Sequence, residues 1–122
     1  MEKRAVCLNC MDGRVQIPVI NFIKDTYKLD NVDMITDPGM DGLLSNDALP
    51  LDEYIRKIGI SIRVNNAVMI AVVGHHDCRG NPVSEAQHKD QIAAGVTRLK
   101  NEFREMNIIG LWVNSDWKVS KL

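Results

Sequence analysis

Apolar positions along the chain change period several times, and short β-branched runs alternate with longer stretches at helical spacing, as successive βαβ units do. Residues 5–9 read as a first strand. Residues 17–28 read as a helix, with Val19, Ile20, Ile23 and Tyr27 on one stripe and Pro18 tolerable in the first turn. A shorter strand over 31–36 leads into a loop, 37–42, whose Pro38-Gly39 step and Gly42 are turn formers. Leu51, Ile55, Ile58 and Ile62 then mark a helix over 47–64, slightly weakened by Gly59. Residues 67–74 are apolar throughout, as a central parallel strand covered on both faces requires. Ser84 and Gln87 make a capping-box pattern ahead of a long helix striped by Ile92, Val96, Leu99 and Phe103. Residues 107–114 form a fourth strand, and the tail 116–122 either adds a short edge strand or crosses to a second subunit. The expected fold is α/β: a four-stranded parallel sheet in the order 2-1-3-4, flanked by helices, with a possible extra C-terminal edge strand.

At 122 residues the chain is expected to be a single domain, 1–122, and its 45% hydrophobic content supports a core without disulfides. A net charge of -1 provides no positive field for nucleic acid or an anionic membrane. The longest apolar stretch, 67–74, is too short to span a bilayer, and residues 1–4 run into the first strand rather than into a signal segment, so a cytoplasmic location is expected. Three cysteines are an odd number for such a chain. They argue against a disulfide framework and for thiol chemistry or metal ligation.

In a doubly wound sheet, ligand sites lie beyond the carboxyl ends of the strands. Two such ends carry unusual residues: Cys10-Met11-Asp12-Gly13-Arg14 after the first strand and His75-His76-Asp77-Cys78 after the central one. If the two strands are neighbours, Cys10, His75 and Cys78 converge. Two thiolates and one imidazole are a favoured zinc set, and three protein ligands leave a fourth position open, as catalytic sites do. Zinc would also hold the cysteines deprotonated.

With Cys10-Asp12-Arg14 as Cys-x-Asp-x-Arg and Gly74-His75-Cys78 as Gly-His-x-x-Cys, the chain resembles the β-class carbonic anhydrases over most of its length. The resemblance implies that Cys10, His75 and Cys78 bind Zn2+ and that Asp12 and Arg14 work beside the metal. It also implies a lyase of the carbonate dehydratase type, hydrating CO2 reversibly to bicarbonate through zinc-bound hydroxide, and a homodimer or higher homo-oligomer. In physical terms, Asp12 would accept the proton of the hydroxide and orient it. Arg14 would keep Asp12 ionised and away from the metal. The chain departs from the family pattern in three places. Nine residues precede Cys10 where members carry helices with a bicarbonate-binding glutamine, Thr36-Asp37-Pro38-Gly39 replaces an Arg-Asn-Ala-Gly-like run, and Arg79-Gly80 replaces a glycine pair. Arg79 would then supply an anion contact.

Two alternatives follow from the same residues. One is a zinc-binding protein of this type without CO2 hydration, acting on or binding another small molecule. The other is a thiol redox protein using Cys7 and Cys10 as a Cys-x-x-Cys pair. Against the latter, Cys7 lies within the strand and should face away from Cys10 as a core hydrophobe. His76 reads as an exposed loop histidine, Asp77 as a turn cap, His88 as solvated at a polar helix start, and Trp112 and Trp117 as fillers.

Overall fold

The computed structural model describes residues 2–122; Met1, the start of the N-terminal run read above, lies outside them. Five strands and four helices follow in the order β1 (Arg4–Cys10), α1 (Gln16–Tyr27), β2 (Asn31–Asp37), α2 (Met40–Ser45), α3 (Asp52–Arg63), β3 (Ala67–His75), α4 (Glu85–Glu102), β4 (Asn107–Val113) and β5 (Val119–Lys121). The sheet order is β2-β1-β3-β4-β5. The first four strands are parallel in the expected order, and β5 returns antiparallel to β4, so the tail forms an edge strand of the same sheet.

Alternation of side chains across the sheet divides the core in two. Ala5, Cys7, Met69, Ala71, Val73, Ile109, Leu111 and Val113 pack with Val15, Val19 and Ile23 around α1. Val6, Leu8, Ile35, Ile70, Val72 and Trp112 pack beneath α2, α3 and α4, against Met40, Leu44, Ile58, Ile92 and Leu99. Covered on both faces, β3 is buried at eight of its nine positions, which explains its unbroken apolar run. Helix α4 opens on a complete capping box, in which Ser84 accepts from the Gln87 amide and the Gln87 side chain accepts from the Ser84 amide.

The structure corrects the expected elements in three places. Cys10 and His75 are the last residues of β1 and β3 rather than the first residues beyond them, because the parallel ladders run on through Cys10↔Asp37 and His75↔Val113. The helix expected over 47–64 begins at Asp52, since Pro50 disfavours helical backbone at Leu49 and the acidic pair Asp52 and Glu53 suits a first turn. The helical turn missing there lies earlier, as α2, which begins inside the stretch 37–42 read as a loop and runs on to Ser45. Arg98 from α4 fastens the C-terminal end of α2 by donating to the carbonyls of Leu44 (2.8 Å), Asn46 (2.9 Å) and Leu49 (3.1 Å). The third correction concerns His88, which is 2% exposed rather than solvated. It sits one helical turn before Ile92 on the buried stripe and is hydrogen-bonded to a buried partner described below.

The turn entering α2 is built on a close backbone approach. Gly39 has φ +62°, and a Cβ there would lie 2.7 Å from the carbonyl oxygen of Gly80. Gly39→Ala should therefore combine a left-handed backbone penalty with a steric clash, lowering stability by about 2–4 kcal/mol. Urea unfolding measures this directly; a loss below about 0.5 kcal/mol would contradict the packing.

Candidate metal centre

Neighbouring parallel strands with Leu8 opposite Val72 end at similar heights, so the last residues of β1 and β3 meet at one edge of the sheet. Cys10 Sγ and Cys78 Sγ are 3.9 Å apart, and the ligand atoms of Cys10, His75 and Cys78 all lie within 4.8 Å of one another. Tetrahedral zinc with Zn–S bonds of about 2.3 Å places two sulfurs about 3.8 Å apart, so the observed separation suits such a centre. It is far longer than a disulfide bond of about 2.05 Å.

The protonation states point the same way. His75 Nδ1 lies 2.7 Å from the carbonyl oxygen of His76, which fixes Nδ1–H as a donor and leaves the lone pair on Nε2. Nε2 is buried and has no partner of its own. A buried orphan acceptor needs an explanation, and a second-shell bond from the opposite nitrogen is how metal-binding histidines are oriented. Burial lowers the His75 pKa, against the pull of the His76 carbonyl and Asp12, so the ring is held in its neutral, ligating form. Cys78 is pushed up to about 11, first by burial and then by Cys10 beside it. A neighbouring cation would reverse this and favour the Cys78 thiolate.

Asp12 and Arg14 lie beside this group without entering it. The Asp12 carboxylate accepts from the Arg14 backbone N–H at 2.9 Å, from Arg14 Nε at 3.1 Å and from Nη2 at 2.7 Å. These hydrogen bonds hold Asp12 down at about 2, overcoming a desolvation that opposes them. The same carboxylate closes the turn and binds the guanidinium.

Three contacts around them were not legible as site features. Gln16 donates from Nε2 to the carbonyls of Cys10 (2.7 Å) and Asp12 (2.9 Å), clamping the turn that carries the first ligand. Asp77 does not cap its own turn: its carboxylate accepts from Arg14 Nη1 at 3.2 Å and its carbonyl from Nη2 at 3.1 Å. Trp117 packs against the core as expected and also faces Arg14, whose Cζ lies 4.7 Å from its ring centroid. A Gln at the start of a helix and a Trp in a tail have no sequence signature that separates these roles from solvation and packing.

A buried polar group supports the second turn from below. His88 Nδ1 and Asp41 Oδ2 pair at 2.5 Å, and Asp41 Oδ1 accepts from Asn81 Nδ2 at 3.0 Å, while the Asn81 backbone N–H donates to the Cys78 carbonyl at 3.3 Å. Gly74 lacks a Cβ where the Asp41 carboxylate and Ile92 Cδ1 occupy the space. Asp37 is engaged by the Tyr54 hydroxyl at 2.5 Å, which keeps this carboxylate occupied on the α3 side. His76 and Arg79 are exposed, and among the described residues no hydrogen bond ties either side chain.

Cys7 is not part of the group. It is fully buried, and burial drives its thiol pKa far above the ordinary range, so it supplies no thiolate for exchange with Cys10. Two grooves of about 510 Å³ each lie at the 47–52 turn and along α4 and β4, and neither is lined by Cys10, His75 or Cys78. Cys10, His75 and Cys78 are only 1–6% exposed.

No curated protein matches the chain. Among solved structures it is similar to β-carbonic anhydrase isoform I from the protozoan Trichomonas vaginalis, with 17% identity, a TM-score of 0.62, and coverage of 98% of this chain and 82% of that one. It is also similar to a carbonic anhydrase from Glaciozyma antarctica, with 17% identity, a TM-score of 0.61, and coverage of 95% and 80%. At that identity the likeness speaks for the fold. The model of the family described as "Putative carbonic anhydrase" matches residues 1–122, and the chain belongs to that carbonic anhydrase family.

Proposed function

We propose that this chain is a zinc-dependent lyase of the carbonate dehydratase type, interconverting CO2 and bicarbonate, with Cys10, His75 and Cys78 as the metal ligands. The observation that supports this most is the unpartnered Nε2 of His75, buried and facing two sulfurs at tetrahedral separation. Zinc bound to such a set acidifies a coordinated water toward neutrality and so supplies a nucleophile.

The chain's own residues do the rest. Asp12, ionised throughout the physiological range, offers a carboxylate oxygen that accepts a hydrogen bond and orients its donor toward a neighbouring carbon. Arg14 keeps that carboxylate charged and aimed. Its guanidinium also occupies the Asp12 oxygens and so opposes their transfer to the metal, which would close the fourth position. Burial of Cys10, His75 and Cys78 excludes bulk water from their donor atoms, while the Asp12 and Arg14 pair stands at the more exposed mouth. CO2 is small and uncharged, and suits a centre with so little open surface.

The low exposure of the ligands also favours a second reading, a closed zinc protein that binds another small molecule without hydrating CO2. Stopped-flow CO2 hydration by the metal-replete protein separates the two. The enzyme reading expects a rate well above buffer and a fall of about a hundredfold or more in Asp12→Asn at unchanged metal content. A wild-type rate equal to buffer would leave the binding reading standing.

We also propose that the chain acts as a homo-oligomer. Met11 and Ile17, which bracket the Asp12 and Arg14 turn, are 60% and 69% exposed, and a second copy would cover them beside the site. Light scattering at micromolar concentration should give at least twice the 13.7 kDa chain mass; a monomer would reject this.

A further inference from the structure

The turn between β4 and β5 brings a large aromatic side chain against the metal centre from a part of the chain far from both motifs. Trp117 has φ +58°, a left-handed conformation that disfavours bulky residues. Asn114 maintains it: its side-chain oxygen accepts from the N–H of Asp116 (2.9 Å) and of Lys118 (3.0 Å), and its carbonyl accepts from Trp117 N–H (2.9 Å). The strained turn presents the indole to two functional groups at once. Arg14 Cζ stands 4.7 Å from the ring centroid, and the His75 ring lies 6.4 Å away, tilted by 39°.

Arg14 needs such support because it is shared. Nη2 and Nε reach Asp12, Nη1 reaches Asp77, and the side chain is 42% exposed. A long guanidinium arm in that position has many rotamers, of which few engage both carboxylates. An aromatic face under the guanidinium restricts it to a plane in which both edges find their partners.

We propose that Trp117 is a positioning residue: its indole holds Arg14 in the bridge between Asp12 and Asp77, and thereby keeps Asp12 out of the metal's ligand set. This rests on the zinc-site reading above. It adds a role for the β4–β5 turn, which neither motif contains. The contact is partly exposed, so its loss should loosen the bridge by roughly fivefold in population.

The test uses the full chain in two forms. In metal-free, arginine-labelled protein, the Arg14 Nε–H NMR signal, assigned with Arg14→Lys, should show an upfield ring-current shift and slowed exchange with water. Trp117→Leu should abolish the shift and speed exchange roughly fivefold, and Trp117→Phe should give intermediate values. In protein loaded with cobalt(II) as the probe, Trp117→Leu should alter the ligand-field absorption as the Asp12 carboxylate joins the ion. Adding Asp12→Asn to Trp117→Leu should restore the wild-type band pattern. An Arg14 signal that is the same in wild type, Trp117→Phe and Trp117→Leu overturns the proposal, as does an unchanged cobalt spectrum in folded Trp117→Leu. If Trp117→Leu fails to fold, Trp117→Phe decides by the graded shift alone. Failure of the wild type to bind cobalt(II) would instead overturn the metal reading itself, and Trp117's role with it.

Discussion

Parallel pairing of β1 with β3 brings the ends of both strands together, and the donor atoms gathered there make one weak sulfur–sulfur contact while His75 Nε2 is left without a partner. Two buried sulfurs 3.9 Å apart repel as thiolates, and the His75 Nε2 lone pair beside them has no proton to accept. An unmade interaction of this kind costs about 1–3 kcal/mol per buried polar atom. A divalent cation of zinc's preferences would resolve both together, because it would stabilise the thiolates and take the imidazole lone pair. The sheet topology is therefore the constraint from which the chemistry follows.

Everything near the donors works to keep them still. Gln16 clamps the first turn through two carbonyls, and the buried Asp41 and His88 pair holds Asn81, which in turn holds the Cys78 carbonyl. The mutual approach of Gly39 and Gly80 locks the α2 entrance against the second turn. Arg14 then ties the first turn to the second through Asp12 and Asp77. Such supporting contacts fix ligand orientation and ligand basicity, and a centre of this kind depends on them as much as on the three ligands. The charged layer at the mouth is different in kind: it is partly exposed and therefore weaker and more sensitive to salt.

Much of this was legible in the residues, for identifiable reasons. The unbroken run of β3 could only be a strand covered on two faces, and the spacing of Cys10, His75 and Cys78 from strand ends made convergence a geometric consequence of strand order. The split of the expected 47–64 helix was less visible, because Leu51, Ile55, Ile58 and Ile62 keep helical spacing while Pro50 acts only on its neighbours. Helix α2 was hidden by Pro38, Gly39 and Gly42, whose turn-forming character is real but is used here at a helix entrance. His88 had a signal that polarity masked: it stands four residues before Ile92, on the stripe itself. Trp117 and Asp77 reach Arg14 through turns with left-handed backbone, and a local propensity argument does not extend to what such turns face across space.

The central claim is that one metal ion joins Cys10, His75 and Cys78. X-ray absorption at the zinc edge of the purified, zinc-loaded protein tests it most directly. The account predicts about two sulfur neighbours at about 2.3 Å and about two nitrogen or oxygen neighbours at about 2.0–2.1 Å, with the sulfur count halved in Cys78→Ser. A shell of oxygen and nitrogen alone, or a sulfur count indifferent to Cys78, would contradict it.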